Sequence, residues 1–471
     1  MGAEGVLVLG AGLAGLGCAR ALPGARVFEA QAHPGGHAWS HACDGAWFDE
    51  GAHISHSSDG EFVGMITRGL EVHEIAASRV RNHWHGAWIT YPVQNHLHEL
   101  PPEARTRALA DFVEAQAQGA VTPADYGQWC LAQYGRYLTE QFYREYTDKY
   151  WRVPMEALAT DWLGGRLIPA QRARIVAGAF AALPEEQSAF HRFRYPRAGG
   201  FFRFFEPLYR GLDLTLGERA IAVDPRRGMV SFASGRTESY EALASSIPVT
   251  ELVSMLRAVP ADVAAAAAAL RHTKLLCVNL VLRIPAPTDL HWFYVYDREI
   301  DAARVSVPSN LAPAMLPEGR SALQAEVFRR GDEPWDPPAL AARTVDQLAR
   351  LLGFTAVDVA SVHPVVVPHA YPISDRHRAR AAETVITWLE RQRIYPLGIY
   401  GRWKYLWSDA AYRQGEETAR RILAEVAAGA GARLPRSRWR SRPTTRRRTS
   451  PAWSATPARR STRWACRGRF S

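Results

Sequence analysis

The sequence predicts an α/β fold in which a Rossmann-like dinucleotide-binding domain is combined with an inserted helical domain and an antiparallel-sheet substrate domain. Three observations in the 471-residue chain predict this fold. A glycine-rich turn follows a short apolar segment near the start, and residues 101–183 have apolar side chains at helical spacing. Several segments between residues 229 and 328 alternate as strands do.

The glycine-rich turn has the spacing of a phosphate-binding loop. The apolar run Val6–Leu9 is predicted to be a buried strand, and Gly10 would permit the tight turn after it. Gly12 would let the backbone approach a pyrophosphate. Gly15 would let the next helix pack on the sheet, with its first N–H groups facing the phosphates. Strand, glycines and helix together predict a dinucleotide site.

Two further features indicate which dinucleotide is bound. Glu29 ends the second predicted strand, about 20 residues after the turn, where a carboxylate accepts hydrogen bonds from a ribose 2′-hydroxyl. NADP would require an arginine there. The segment His33-Pro34-Gly35-Gly36-His37 then adds a second glycine pair. Because a nicotinamide enzyme usually continues directly into its next βα unit, this extra turn favours FAD over NAD.

The type of periodicity changes along the chain, and these changes predict discontinuous domains. They are a FAD-binding domain made of residues 1–90, 191–250 and 341–430, a helical insertion at 91–190, an antiparallel-sheet substrate domain at 251–340, and a disordered basic tail at 431–471. Strands are predicted over residues 229–233, 275–283, 292–296, 322–328 and 394–400, and helices over 105–118, 264–270, 377–391 and 413–426.

Charge is unevenly distributed along the chain. The formal net charge is +10, but 13 arginines lie between Arg433 and Arg469 with no acidic residue among them, so residues 1–432 carry a net charge of −3. The arginine-rich tail has no helical or strand period, which predicts disorder. We interpret it as a segment without a selected role and expect no nucleic-acid partner, with a basic arm for nucleic acid or anionic lipid as the alternative.

Other compositional signals exclude several kinds of site. No Cys-x-x-Cys pair occurs among the five cysteines, which argues against a disulfide framework or a zinc site and fits a reducing cytoplasm. The pairs His83/His85 and His96/His98 lack a nearby ligand to complete a tetrahedral set, so no metal is expected. No apolar run reaches the ~18 residues of a membrane-spanning helix. We therefore expect a cytoplasmic protein without a transmembrane segment.

Several short motifs follow the glycine turns in a fixed order. They are Gly35-Gly36-His37-Ala38-Trp39, Gly51-Ala52-His53-Ile54-Ser55-His56, Tyr146-Thr147-Asp148-Lys149-Tyr150-Trp151, Gly199-Gly200, Tyr371-Pro372-Ile373-Ser374-Asp375, and Tyr400-Gly401-Arg402-Trp403-Lys404-Tyr405 with Asp409. This ordered set resembles the UDP-galactopyranose mutases, which are flavoenzymes of the amine oxidase and protoporphyrinogen oxidase superfamily. The resemblance covers residues 6–425 and implies a FAD-binding Rossmann-like (GR2-type) domain.

The resemblance also implies roles for individual residues. FAD would be bound by Gly10, Gly12, Gly15, Glu29, Gly36 and Asp409. His53 would lie near the flavin ring, Arg402 and Tyr405 would hold a diphosphate, and Trp151 would line the nucleotide pocket. Arg304 resembles the second phosphate-binding arginine of the family. Of these residues, His53, Arg304 and Arg402 are the candidate catalytic residues.

The activity implied by the resemblance is the interconversion of ring forms of a nucleotide-linked sugar through reduced FAD. Two guanidinium groups suit this substrate, because arginine can grip a diphosphate bidentately. The alternative is an amine oxidase-like or protoporphyrinogen oxidase-like oxidoreductase that uses oxygen or another acceptor, and a third possibility is a flavin scaffold without activity. Convergence of Arg304 and Arg402 on one cavity would favour the sugar, whereas an uncharged aromatic cage would favour the oxidoreductase. The oligomeric state stays open, with a homodimer compatible with the sequence.

Overall fold

The chain begins with the predicted dinucleotide-binding unit. In a computed structural model that describes residues 5–119, 122–164, 166–183 and 191–430, the buried strand Val6–Leu9 leads through the glycine turn into the helix Leu13–Arg20. The strand Arg26–Phe28 then pairs in parallel with the first strand. The start of the chain therefore has the predicted β-turn-α-β order.

This unit belongs to a five-stranded parallel sheet. In spatial order its strands are Ile394–Pro396, Ala242–Ser245, Val6–Leu9, Arg26–Phe28 and Asp213–Thr215. Because these strands come from three distant parts of the chain, the sheet brings together the segments that were expected to form the FAD-binding domain. The mixed α/β fold class is confirmed.

A seven-stranded sheet forms the second layer. In spatial order its strands are Val359–Pro372, His272–Leu282, Ser321–Arg330, Arg304–Ser306, Trp292–Val295, Val80–Trp84 and Ala87–Thr90. Its neighbouring strands are antiparallel except for the parallel pair Trp292–Val295 and Val80–Trp84. The sheet thus includes strands that lie before residue 251 and after residue 340. Strand pairing depends on backbone hydrogen bonds between segments that are distant in the chain, and the local alternation of side chains does not reveal these partners.

Three small antiparallel units complete the strands among the described residues. They are the hairpin Ser40–Cys43 with Ala46–Asp49, the pair Val72–Ile75 with Phe193–Pro196, and the three strands Ala220–Asp224, Met229–Phe232 and Thr237–Ser239.

The helices include those predicted over residues 105–118, 264–270, 377–391 and 413–426, as well as several that were not predicted, such as Pro337–Leu352. After Leu13–Arg20 they are Gly60–Thr67, Pro102–Ala117, Tyr126–Leu138, Glu145–Tyr150, Arg172–Gly178, Glu206–Tyr209, Val249–Ser254, Ala261–Ala269, Pro308–Leu311, Pro337–Leu352, Arg378–Arg391, Gly398–Gly401 and Ser408–Ala430. A π-helical turn, Thr139–Arg144, joins two helices of the insertion. None of the helices within the described ranges is long and apolar enough to cross a membrane. The arginine-rich tail lies outside those ranges.

Two predicted boundaries near the end are wrong. The strand expected over residues 394–400 ends at Pro396, and the helical turn Gly398–Gly401 takes its place. The reason is tertiary, since the Gly398 N–H donates to the side-chain oxygen of Gln414 at 2.6 Å. The last helix begins at Ser408 rather than at residue 413, which places Asp409 in its first turn, where a carboxylate complements the helix dipole.

Candidate functional site

A cavity of about 840 Å³ lies between the parallel sheet and the seven-stranded sheet. Small-molecule sites usually enclose ~300–1,000 Å³, so this cavity is at the large end of that range. Gly10, Gly12, Glu29 and Gly36 line one end, and an aromatic wall that includes Tyr405 lines the other. The cavity therefore runs continuously from the dinucleotide-binding turn to the expected substrate region.

The glycine turn has the shape of a phosphate cradle. Gly10 has a φ of +93°, and a Cβ there would lie 2.2 Å from the hydroxyl oxygen of Ser246. A Cβ on Gly15 would lie 2.0 Å from the Gly10 carbonyl oxygen. At Gly12, in contrast, the nearest atom to such a Cβ is the Cα of Gly36 at 3.9 Å. The backbone at Gly12 is thus open to the cavity at the start of a helix, as phosphate binding requires.

Glu29 closes this cradle from the second strand. One carboxylate oxygen accepts the Ala11 N–H and the other accepts the Gln31 N–H, each at 2.8 Å. These bonds fix the carboxylate at the cavity wall and leave lone pairs for ribose hydroxyls. The geometry fits the cofactor-binding role expected of Glu29.

The second glycine pair packs directly against the first turn. The Gly35 N–H donates to the Ala11 carbonyl at 2.8 Å, and Gly35 pairs with Gly12 in an isolated parallel bridge. A Cβ on Gly35, where φ is +110°, would lie 2.5 Å from the Phe202 ring. The extra turn predicted from the sequence is therefore real, and it forms the second side of the cradle.

His53 lies on the cavity wall as a neutral imidazole. Its Nδ1 lies 2.9 Å from the Gly51 carbonyl oxygen, which can only accept, so Nδ1 carries the proton and Nε2 is left as an acceptor. Burial lowers the pKa of His53, and the nearby Asp49 carboxylate opposes this shift. The ring stacks on Phe201 with centroids 5.1 Å apart, which fixes its orientation.

Arg304 lines the cavity, but two N–H groups of its guanidinium already donate to a carboxylate. Its Nε and Nη2 each donate to Glu326 at 2.8 Å, and the Glu326 side chain is fully buried. Burial favours neutral arginine, yet the carboxylate outweighs it and raises the pKa of Arg304. Glu326 also accepts the Ala52 N–H at 2.9 Å, next to His53. The N–H groups of Arg304 that remain for a ligand are therefore those on the outer edge of its guanidinium, formed by Nη1 and Nη2.

Arg402, which was expected to hold a diphosphate, is not at the cavity wall. Arg402 follows the helical turn Gly398–Gly401 and is not among the residues that line the cavity. Its Nη1 instead donates to Glu390 at 3.2 Å, a carboxylate that Arg421 also binds. The helical turn, which replaces the predicted strand, brings Tyr400 to the cavity and carries Arg402 away from it.

Asp409 is also not among the residues that line the cavity. It accepts a hydrogen bond from the Ser57 hydroxyl and one from the Ala410 N–H, while its neighbours Ser408 and Ala411 line the cavity. Its carboxylate thus anchors the first turn of the last helix beside the cavity.

Arg166 also lines the cavity and was not singled out from the sequence. Its guanidinium carbon lies 3.1 Å from the centroid of the Tyr405 ring and 6.0 Å from that of Tyr371. The described part of the chain gives it no carboxylate partner, in contrast to Arg304. Arg166 lies in an irregular segment before the helix Arg172–Gly178, so no periodicity marked it out.

Aromatic side chains form the wall around the two arginines. Trp151 and Tyr405 both line the cavity. Tyr371 joins them to one another through ring contacts, with centroid distances of 6.2 Å to Trp151 and 5.7 Å to Tyr405. Burial raises the pKa of Tyr405 to about 12, although Arg166 opposes the shift, so its hydroxyl stays protonated and neutral at pH 7. Tyr146, Tyr150, Tyr294 and Tyr400 also face the cavity.

His83 and His98, one from each histidine pair, have hydrogen-bond partners within the protein. His83 donates from Nδ1 to Asp297 at 2.7 Å in a buried pair, and His98 bonds the Gly178 carbonyl at 3.1 Å. Within the described ranges, no three His, Cys, Asp or Glu side chains are grouped so that they could hold a metal ion.

Solved structures resemble this fold over most of its length. A reduced UDP-galactopyranose mutase superposes with a TM-score of 0.81 at 24% identity, covering 89% of this chain and 95% of that one. A protein from Exiguobacterium sp. 255-15 with a provisional protoporphyrinogen oxidase name gives 0.69 at 16% identity, covering 89% and 98%. A redesigned putrescine oxidase gives 0.58 at 18% identity, also covering 89% and 98%.

The sequence pattern of the flavin-containing amine oxidoreductases matches residues 13–423, which is most of the chain. FAD is the cofactor of this group, and the open backbone at Gly12, the second glycine turn and Glu29 fit it. The chain therefore belongs to the flavin-containing amine oxidoreductase family and binds FAD.

Proposed function

We propose that this flavoenzyme is a mutase-type isomerase that interconverts ring forms of a nucleotide-linked sugar. One observation carries the proposal: Arg166 and Arg304 line the same cavity that continues from the FAD cradle. A diphosphate between the cradle and the aromatic wall would meet positive charge there. The resemblance to the mutases, extended by the fold similarity, supports the same substrate class.

In this proposal, each group on the substrate side has a distinct task. Arg166, held on the Tyr405 ring, and the outer N–H groups of Arg304 would attract the diphosphate, and neutral tyrosine hydroxyls would donate to its oxygens. Trp151 would line the nucleotide pocket. Positioning of this kind can supply much of the rate enhancement when the cofactor performs the chemistry.

Near the cofactor, His53 would act as a neutral acceptor through Nε2, because its Nδ1 proton is held by the Gly51 carbonyl. Gly10, Gly12, Gly15, Glu29 and Gly36 would hold FAD, with Asp409 supporting the helix beside it. When bound in its reduced form, FAD would supply the nucleophile for the anomeric carbon of the sugar.

The test uses the purified holoprotein reduced with dithionite in the absence of oxygen. UDP-galactopyranose and other UDP-hexopyranoses are added separately, and the products are separated by anion-exchange chromatography. We expect a second UDP-sugar of unchanged mass to form with reduced protein and none with oxidised protein. If no UDP-sugar is isomerised while the flavin is bound and reducible, the proposal fails.

An oxidoreductase activity is the second candidate, and the Arg304–Glu326 pair favours it. Much of the cavity wall consists of tyrosine side chains, and Glu326 balances the charge of Arg304. That part of the wall therefore carries little net charge. The oxidised holoprotein is therefore also mixed anaerobically with primary amines and polyamines. Bleaching of the flavin absorbance by an amine would support the oxidoreductase, whereas isomerisation without amine-dependent bleaching would support the mutase.

A further inference from the structure

A chain of hydrogen bonds connects Arg304 to His53 through one peptide group. Arg304 donates from Nε and Nη2 to Glu326, and Oε1 of Glu326 also accepts the Ala52 N–H at 2.9 Å. At the other end of the same peptide group, the Gly51 carbonyl accepts the Nδ1–H of His53 at 2.9 Å. Because a peptide group is planar and rigid, a change at its N–H is transmitted to its carbonyl. Arg304 and His53, which both line the cavity, are therefore joined through Glu326.

One strand of the seven-stranded sheet holds the segment 49–52 at two points. Gln324 and Glu326 are two residues apart on this strand, so their side chains point to the same face of the sheet. Gln324 donates to the Asp49 carbonyl at 2.7 Å, and Glu326 accepts the backbone N–H of residue 52. Between these two points Gly51 has a φ of +90°, which glycine adopts without steric cost. The carbonyl that holds the histidine is therefore oriented by the strand through Glu326.

The buried carboxylate of Glu326 makes this chain of hydrogen bonds sensitive to an anion. Glu326 is fully buried, and its Oε1 is shared between a guanidinium N–H and a backbone N–H. An anion on the outer edge of Arg304 would compete with Glu326 for the same positive charge and would weaken the bonds between these two side chains. The carboxylate would then accept more strongly from the Ala52 N–H. The Gly51 carbonyl would in turn accept more strongly from His53, because hydrogen bonds in a chain polarise one another.

We propose that Glu326 is a positioning residue that couples two parts of the candidate site, so that an anion bound by Arg304 changes the orientation and the electronic environment of His53. The role is positioning, because Glu326 is not among the residues that line the cavity and acts through Arg304 and Ala52. The inference rests on the proposed function in taking the anion to be a nucleotide diphosphate. The chain of hydrogen bonds is a property of the protein alone, so it is tested both without and with the nucleotide.

The first test uses no nucleotide. The holoprotein is labelled with carbon-13 at Cε1 of histidine, and the His53 resonance is identified by its absence from the spectrum of His53→Gln. Arg304→Lys should shift this resonance, because lysine cannot donate two parallel bonds to Glu326. Arg402→Lys is the matched control and should leave the resonance unchanged, since Arg402 bonds Glu390 and does not line the cavity. A His53 resonance that stays in place in Arg304→Lys would overturn the proposal, and so would an equal shift in both variants.

The second test adds UDP to the labelled holoprotein in its oxidised state. In the unmodified protein the His53 resonance should move in proportion to the fraction of UDP bound, which isothermal titration calorimetry measures. The amide of Glu326→Gln can still accept the Ala52 N–H but carries no charge, so bound UDP should move the resonance to less than half the extent. Bound UDP without any movement in the unmodified protein contradicts the coupling. A full movement in Glu326→Gln also contradicts it, because UDP would then act on His53 directly.

The two tests separate this inference from the proposed function. If the unmodified protein does not bind UDP, the proposed function fails, while the comparison of Arg304→Lys with Arg402→Lys still decides the coupling. Circular dichroism verifies that each variant is folded before its spectrum is recorded. If Glu326→Gln does not fold, Arg304→Lys decides the outcome, because it keeps a positive charge opposite the buried carboxylate.

Discussion

The guanidinium carbon of Arg166 lies 3.1 Å from the centroid of the Tyr405 ring, and this contact places a cation on the aromatic wall of the cavity. Arg402, for which the family resemblance implied a substrate-binding role, donates to Glu390 instead. The two arginines therefore form a natural pair for a test, because one faces the cavity and the other does not.

Replacing Arg166 by lysine should weaken UDP binding by ~1–3 kcal/mol, the worth of a hydrogen bond to a charged group, since lysine cannot reproduce the planar fork on Tyr405. Isothermal titration calorimetry with UDP measures the change. The matched control is Arg402→Lys, which should leave UDP affinity unchanged. An equal loss in both variants would show that the cavity contact of Arg166 is unimportant.

Replacing Gly12 by valine should abolish FAD retention without unfolding the protein. Gly12 has φ −72° and ψ 175°, which any residue adopts, and the space around a Cβ is open in the protein but is the space that a phosphate needs. The purified variant should be colourless, with a normal circular dichroism spectrum. Gly64→Ala, at an exposed helical glycine with free space, is the control and should stay yellow. A yellow Gly12→Val protein with full flavin content would place the cradle elsewhere.

Removing Glu326 should destabilise the protein strongly, because it leaves the Arg304 charge without its buried partner. For Glu326→Ala we expect a loss of ~3–5 kcal/mol in the free energy of unfolding. Urea unfolding of the holoprotein measures it, with the exposed Glu383→Ala as a control that should change stability by less than ~0.5 kcal/mol. A loss of similar size in both variants would mean that the Arg304–Glu326 pair contributes no more to stability than an exposed glutamate does.

The contribution of Lys149 to the free energy of unfolding should increase as the pH rises above about 8. Its Nζ donates to the carbonyls of Val295 and Ala302, each at 3.1 Å, and burial lowers its pKa from 10.5 to about 8, with Asp297 opposing the shift. Between pH 8 and pH 10.5 the unfolded chain binds more protons at this site than the folded protein, so its contribution to stability increases with pH.

The measurement compares urea unfolding of the unmodified protein and Lys149→Met at pH 7.5, 9 and 10. The stability of the unmodified protein relative to the variant should increase along this series. A constant difference would show that Lys149 is not perturbed by its burial.

A feature could be predicted from the sequence when the residues that form it lie close together along the chain. The cradle was predictable because Gly10, Gly12, Gly15 and Glu29 lie within 20 consecutive residues, and the strand and helix that position them form from the same segment. The second turn at Gly35 and Gly36 was predictable for the same reason. The Arg304–Glu326 pair was not, because the two residues meet only when adjacent strands pair in register.

By itself, the sequence determined the cofactor half of this protein: a strand, a glycine turn, a helix and an acid at fixed spacing specify a dinucleotide site, and the ordered motifs that follow carry the resemblance to the family. Only the tertiary structure decided which cations face the cavity. A helical turn at residues 398–401 directs Arg402 to Glu390, a buried carboxylate engages the fork of Arg304, and an irregular segment brings Arg166 onto Tyr405. The physical reason is that backbone turns encode short-range geometry, whereas the direction of a long charged side chain depends on partners that are distant in sequence.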